Sequence, residues 1–236
     1  MLDNARIVYE DRVADVDRYV DFLRVLVLSK PLLQYVRSDG GELSQPIDIE
    51  LTHTLKATAF LLLYNLVEAT IRRALSDSRE HIENAGFQHH DLHENLRNHI
   101  TEQLKYDDIR GRVKGSIHPL GRAILWAGFD ADKALGGNLD HESIVKTARK
   151  FGFSVITNAE ITRGGQSLKD IKRNRNILAH GNKSFLECGR DTAIEEIIQI
   201  TGEVEAYLAQ ILDNIEAWLS NRAYLAIPPV TIPTEA

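Results

Sequence analysis

Cysteine and long apolar runs are both scarce in this 236-residue sequence. The single cysteine, Cys188, excludes an internal disulfide bond and fits a reducing cytoplasm. The longest apolar run, residues 57–64, is interrupted by Thr58 and is far too short to span a bilayer. The first residues alternate in charge and lack the apolar core of a signal peptide. We therefore expect a cytoplasmic protein that does not bind membranes.

An excess of positive charge is also missing, because the formal net charge is −6. This excludes a generic nucleic-acid binder but not a local binding site. Residues 191–216 contain seven acidic residues and no lysine or arginine, whereas residues 169–183 contain five basic residues against Asp170. A polyanionic ligand would be attracted to residues 169–183 and repelled by residues 191–216.

Strand patterns and repeats are absent as well, because no sustained alternation of apolar and polar residues occurs between turn signals. Apolar residues recur instead at helical spacing. This predicts helices at residues 6–29, 49–78, 91–104, 119–130, 141–151, 167–180 and 193–223, with a loop at 37–48. We expect one all-α domain over residues 1–236, a bundle of four long helices with short helical inserts. Residues 1–45 would be an N-terminal helix and loop, and residues 226–236 an extended tail.

The helix predicted before residue 181 ends in an unusually polar segment, RNRNILAHGN, at residues 173–182. Residues 167–170 have the pattern of a capping box, and Gly181 suits the left-handed conformation that follows a helix. Helical spacing places Asn176 and His180 on one face. Arg175 lies about 140° around the helix from His180, within the swing of a long side chain.

An imidazole that titrates near neutrality beside a permanent guanidinium suits RNA cleavage without a metal. His180 could take the proton of a 2′-hydroxyl or protonate the leaving 5′-oxygen. Arg175 could neutralise the charge that develops on the phosphate. The alternative is an ordinary solvated helix end, and composition alone favours that alternative.

Two polar residues, Asn65 and Glu68, lie three positions apart in the most apolar helix, at residues 49–78. A carboxylate there must find a partner or shift its pKa. The pair could hold Arg72 or a neighbouring helix. It could also orient an arginine or histidine of an active site.

The histidines between residues 81 and 93 raise the question of a metal site, since His90 and His93 are spaced as helical ligands beside Glu94. Asp91 and Glu94 are instead expected to cap the helix at 91–104. No second pair of ligands is obvious nearby, so the sequence predicts neither a metal site nor a cofactor.

Arg175 and His180, separated by four residues, resemble the signature of the HEPN superfamily, an arginine four to six residues before a histidine. A polar residue often follows the arginine, as Asn176 does here, and LAHG at 178–181 is a common ending. Residues 66–75 and 136–154 are also similar to a prokaryotic HEPN subfamily, so the resemblance covers about residues 50–220. Arg173 satisfies the six-residue spacing, which leaves the identity of the motif arginine open.

The resemblance implies a HEPN-like helical bundle that acts as a metal-independent endoribonuclease, commonly a toxin in toxin–antitoxin or phage-defence systems. Homodimers of the family place two motifs in one shared cleft, which would supply a second histidine. An antitoxin or nucleotidyltransferase would be a natural partner besides RNA. Some relatives only bind RNA or nucleotides, and a helical protein–protein interaction module is a third alternative.

Roles for individual residues follow from the resemblance. Arg175 and His180 would be catalytic, and Asn176 would orient them. The residues expected to support them are Glu68 and Asn65. The residues expected to contact RNA phosphates are Arg173, Lys172 and Lys183.

Overall fold

The computed structural model describes residues 1–104 and 138–226, and between these ranges only residues 124, 128, 129 and 135. The helix predicted at 119–130 and the extended tail predicted at 226–236 lie largely outside the described residues.

The described part of the chain is mostly helical, which confirms the all-α prediction. Short 3₁₀ turns occupy His89–Asp91 and Arg163–Gly165. The α-helices are, in chain order, α1 Asp3–Ser29, α2 Ile49–Asn84, α3 Glu94–Gln103, α4 His141–Phe151, α5 Ala159–Thr162, α6 Gln166–Ala179, α7 Phe185–Arg190 and α8 Ile194–Ser220.

The prediction of a loop at residues 37–48 is only partly right. Residues 37–41 and 47–48 lie outside strands, but residues 42–46 form one strand of a β-hairpin that begins before the predicted loop. Strands β1 (Leu32–Val36) and β2 (Glu42–Pro46) pair antiparallel, with Gln34 opposite Ser44. Side chains on both faces of β1 are exposed. A strand with no buried face does not need the apolar–polar alternation that identifies strands in a sequence, which explains why the pattern missed it.

The chain divides into two compact units that alternate along the sequence. The first unit comprises Met1–Val8, Ala69–Thr157 and Leu208–Ala236, and the second comprises Tyr9–Glu68 and Asn158–Tyr207. Three of the four unit boundaries fall within α1, α2 and α8, and the fourth lies just before α5. The expectation of a single domain stays a prediction.

The core of the first unit contains a cluster of aromatic rings. Phe151 of α4 lies edge-on to Phe129, with ring centroids 5.0 Å apart. Trp218 of α8 contacts Tyr224 in the same manner, at 5.6 Å. Such edge-to-face pairs add to the stability gained from burial of the rings. The N-terminal end of α1 is attached through Arg6, which forms ion pairs with Asp213 and Glu216 of α8.

In the first unit, the helix predicted at 91–104 begins at Glu94, and Asp91 is not its cap. The ring Nδ1 of His93 accepts the backbone N–H of Leu96 at 3.3 Å and caps α3 instead. Asp91 accepts the backbone N–H of Gln88 in the preceding 3₁₀ turn. The correction follows from that turn, which the sequence pattern did not reveal. The helix predicted at 141–151 is confirmed, with Asp140 as its N-cap.

In the second unit, the N-terminal end of α6 contacts Glu203 of α8. The prediction of a capping box at residues 167–170 is wrong. Ser167 lies inside the helix, fully buried, and its hydroxyl donates to the Glu203 carboxylate. Gln199 also donates to Glu203, at 2.7 Å, and Arg163 forms an ion pair with it at 3.7 Å. Because the 3₁₀ turn runs directly into α6, Gly165 takes the N-cap position.

Among the described helices, α2 alone is long and apolar enough to cross a membrane. Within its most apolar window, 56% is buried inside the protein, as in the core helix of a folded domain. Burial against protein therefore accounts for the apolar character of α2. The absence of membrane binding stays a prediction.

Helix α7 packs against α2 so closely that only glycine fits at position 189. A Cβ atom there would overlap the carbonyl oxygen of His53 and lie 3.1 Å from the backbone nitrogen of Ala57. Both obstacles are backbone atoms, which cannot rotate away. Gly189 therefore sets the distance between the two helices.

We expect Gly189→Ala to lower the free energy of unfolding by about 3 kcal/mol, because backbone overlap must be relieved by moving a helix. Gly202→Ala is the matched control, since a Cβ there meets no atom within 4 Å. It should raise the stability by about 0.5–1 kcal/mol, the usual gain of alanine over glycine inside a helix. Urea denaturation measures both, and equal effects of the two substitutions would contradict the packing argument.

Glu205 of α8 supplies a second test, in the second unit. Burial, followed by the nearby Asp17 carboxylate, raises the pKa of Glu205 from an ordinary value of 4.5 to about 7. Its protonated form is thus favoured by folding, and the associated stability is present below pH 4.5 and lost as the pH rises through about 7. We expect Glu205→Gln to remove this component. Urea titrations at several pH values in this range would give the free energy of unfolding as a function of pH. It should depend less on pH in the variant than in the wild type, and an equal dependence in both would refute the assignment.

Candidate nucleic-acid interface

Helix α6 presents an apolar seam to the core of the second unit. Leu168, Ile171 and Leu178 are buried, and their spacing of three and seven residues places them along one side of the helix. Arg175 occupies the position between Ile171 and Leu178 on that same side. The helix therefore directs Arg175 inward, while Arg173 points elsewhere.

The Arg175 guanidinium lies over the ring of Tyr64 of α2, with its Cζ atom 4.7 Å from the ring centroid. Tyr64 is only 5% exposed, so the stacking surface is fixed in the core. Arg175 Nη1 also donates to Oδ1 of Asn176 at 3.0 Å. Stacking uses the face of the guanidinium and leaves its edge available for further hydrogen bonds.

The C-terminal end of α6 is closed by a Schellman motif, which confirms the expectation for Gly181. Gly181 has a φ of 68°, and its N–H donates to the Leu178 carbonyl. The N–H of Asn182 donates to the Ile177 carbonyl at 2.9 Å. This geometry ends the helix at a defined residue and turns the chain away after it.

His180 is the C-cap residue of α6, and its side chain is exposed. Its backbone N–H donates to the Asn176 carbonyl at 3.0 Å. Within the described ranges, its ring makes no hydrogen bond or ion pair. The imidazole is thus accessible to a ligand, and the backbone beneath it is held by the helix end.

The other basic residues predicted to contact phosphate occupy different environments. Arg173 has a side chain that is 66% exposed and lies 3.7 Å from Asp170. Lys172 is half-buried. Lys183 forms an ion pair with Asp191 at 3.0 Å. The positive charge of Arg173 and Lys183 is therefore partly neutralised.

The expectation that Asn65 and Glu68 form a buried polar pair is wrong, because Asn65 is exposed and Glu68 is half-buried. Glu68 follows Tyr64 by one helical turn and shares its face of α2. Asn65 is turned away from Tyr64 by the roughly 100° step between neighbouring residues. Glu68, but not Asn65, therefore lies on the side of α2 where Tyr64 contacts Arg175.

Metal and thiol chemistry find little support in the described part of the chain. No group of three or more histidine, cysteine, aspartate or glutamate side chains is arranged there to hold a metal ion. His93 uses Nδ1 to cap α3, and its Nε2 donates to the Phe151 carbonyl at 2.8 Å. Cys188 is buried, which raises the pKa of its thiol and leaves it unreactive.

Tyr64 is the residue of this site that sequence reasoning missed. Because its neighbours in sequence are apolar, Tyr64 was interpreted only as another core residue of α2. The available signal was the spacing of Leu168, Ile171, Arg175 and Leu178, which places a charged group in an apolar seam. A charge in that position needs a partner from another element.

The family model described as HEPN_MAE_28990-like HEPN matches residues 10–224, which include Tyr64, Arg175 and His180. The match begins within α1 and covers the hairpin, so it extends beyond the residues on which the resemblance was based. No curated protein and no solved structure matches the chain significantly.

We expect Tyr64 and Arg175 to be energetically coupled. A double-mutant cycle of Tyr64→Leu and Arg175→Met should give a coupling free energy of about 1 kcal/mol, the size of a partly desolvated cation–π contact. Tyr64→Phe is the matched control, because it keeps the ring face and removes only the hydroxyl. Urea denaturation of the set provides the values. Additive effects of Tyr64→Leu and Arg175→Met would show that the stacking contributes nothing.

Proposed function

The chain belongs to the HEPN_MAE_28990-like HEPN family, and we propose that it is a metal-independent endoribonuclease that works as a homodimer. The observation that carries the proposal is the presence, on one helix, of a guanidinium held in place and an exposed imidazole. Arg175 is held by Tyr64 and Asn176, and His180 is the C-cap residue of the same helix, with an exposed side chain. This is the polar chemistry that cleavage of a phosphodiester requires without a metal.

Arg175 serves as the phosphate-binding group in this proposal. One N–H is given to Asn176, and the other N–H groups have no partner among the described residues. A planar guanidinium can then donate two parallel hydrogen bonds to phosphate oxygens. Because Tyr64 holds the group before substrate binds, little reorganisation is needed as negative charge develops in the transition state.

His180 supplies the proton transfers. One imidazole takes the proton of the ribose 2′-hydroxyl while the 2′-oxygen attacks phosphorus. A second, protonated imidazole gives its proton to the departing 5′-oxygen. The products are a 2′,3′-cyclic phosphate and a free 5′-hydroxyl, so no metal or other cofactor is consumed.

The homodimer provides the second imidazole. Each chain carries one His180, and a two-fold axis beside the end of α6 would bring two copies into one cleft. The exposed position of His180 is compatible with such a cleft. Arg173, Lys172 and Lys183 would contact flanking phosphates, and the acidic residues of α8 would confine RNA to this end of α6.

Supporting and cellular roles complete the proposal. Glu68 would support Arg175 from the neighbouring turn of α2, whereas the exposed Asn65 is the weaker candidate for this task. We place the enzyme in the cytoplasm as the toxic component of a toxin–antitoxin or phage-defence system. An antitoxin or nucleotidyltransferase would then restrain it, since free ribonuclease activity harms the host.

We expect the purified protein to cleave single-stranded RNA in the presence of EDTA and to lose at least about 100-fold in rate on His180→Ala, because one acid–base group typically contributes that much. Arg175→Lys should also be severely impaired, since an ammonium cannot reproduce the fork of a guanidinium. Arg173→Ala should cost much less, because it removes only a contact to a flanking phosphate, and Lys146→Met, at an exposed position of α4, is the control that should keep full activity. The readout is the cleavage rate together with the 2′,3′-cyclic phosphate end group.

Mixing experiments test the shared cleft. Excess His180→Ala protein, equilibrated with the wild type, should suppress RNA cleavage, because each mixed dimer contains only one of the two His180 side chains that the reaction requires. Activity that falls only in proportion to dilution would exclude a site built from both chains. Full activity of His180→Ala alone would exclude the proposed chemistry.

A non-catalytic RNA- or nucleotide-binding module is the second candidate function, supported by the Arg175 guanidinium, which is held in place and can bind a phosphate whether or not cleavage follows. It predicts binding that weakens with salt and depends on Arg175, without cleavage. A helical protein–protein module predicts that neither Arg175→Lys nor His180→Ala changes any RNA readout.

A further inference from the structure

A cavity of about 400 Å³ lies in the second unit, at the base of the hairpin and away from the Arg175 site. Its size falls within the range of small-molecule sites in proteins. Lys56, which lines it, precedes Tyr64 on α2 by two turns, or roughly 12 Å. Its apolar walls come from Leu26, Val27, Pro31, Pro46, Ile47 and Ile49.

The polar residues that line the cavity are basic or neutral. They are Lys30, Thr52, His53 and Lys56. None of the described residues lining the cavity is acidic. Asp48, which lies nearby in sequence, accepts the backbone N–H of Glu50 and caps α2 instead. The cavity therefore combines an apolar surface with the positively charged side chains of Lys30 and Lys56.

Lys56 is the best evidence that the cavity is built for a ligand. The residue is only 8% exposed, and its Nζ donates to the Thr192 carbonyl at 2.6 Å. An ammonium carries three donors, and Thr192 takes one of them. No carboxylate forms an ion pair with Lys56 within the described ranges. Burial lowers the pKa of Lys56, whereas the charge of Glu195 acts in the opposite direction. A buried anion would stabilise its charged form.

Lys30 stands at the edge of the cavity in a backbone conformation that normally belongs to glycine. It follows the last residue of α1 with a φ of 45°. Glycine adopts this conformation without strain, whereas a residue with a Cβ atom is disfavoured there. Glycine would stabilise this helix end better, so a lysine here is explained by a role of its side chain at the cavity rather than by backbone stability.

We propose that this cavity binds a small organic anion, with its acidic group held by Lys56 and Lys30 and its apolar body against the cavity wall. The ligand class is an amphipathic carboxylate, sulfonate or phosphate monoester. The site is independent of the proposed ribonuclease chemistry, because none of its lining residues belongs to the Arg175–His180 site.

The test uses 8-anilinonaphthalene-1-sulfonate, an aromatic anion whose fluorescence rises in apolar sites, and N-phenyl-1-naphthylamine, its neutral counterpart. We expect saturable binding of the sulfonate to the wild-type protein. Lys56→Met and Lys30→Gly should each weaken it by about tenfold, because each removes a charge-assisted contact. Binding of the neutral probe should change little in both variants.

Lys30→Gly also guards against a false result from misfolding. The φ at this position suits glycine, so the variant should fold at least as stably as the wild type. Lys146→Met, at an exposed position of α4, is the control for loss of one positive charge. The proposal is overturned if the sulfonate does not bind, or if its affinity is the same in Lys56→Met, Lys30→Gly and Lys146→Met.

Discussion

Burial of α2 positions the elements of the second unit around it. Tyr19 of α1 donates to the Leu55 carbonyl at 2.8 Å, and Lys56 donates to the Thr192 carbonyl just before α8. Gly189 brings α7 against the backbone of His53. Tyr64 receives the guanidinium of Arg175 from α6. One apolar helix thus fixes four others through a few polar or close contacts.

The chemical character of the site follows from this arrangement. A guanidinium inside an apolar seam is costly unless another element receives it, and Tyr64 does so without neutralising its charge. The end of α6 is equally defined, because the Schellman motif holds the backbone at Gly181 while the His180 ring stays exposed. Rigidity at Arg175 and freedom at His180 suit a phosphate-binding group and a proton carrier respectively.

Much of the fold could be predicted because helices depend on local periodicity. The helix at 141–151 and the end of α6 at Gly181 are where the sequence pattern placed them. The hairpin could not be predicted, since its exposed strands carry no buried face. Capping predictions failed where a preceding 3₁₀ turn moved the start of a helix. Ser167, which was expected to cap α6, instead meets Glu203 of α8, a partner that no local pattern identifies.

The sequence by itself determined the family, the helical fold and the spacing of Arg175 and His180, because these depend on residues close together in the chain. Only the tertiary structure showed that Arg175 and Arg173 have different surroundings, since Arg175 lies over the ring of Tyr64 whereas Arg173 is exposed beside Asp170. It likewise placed Glu68, rather than Asn65, on the face that carries the site. Such choices depend on which side of each helix meets another helix, and helix packing, not local spacing, decides that.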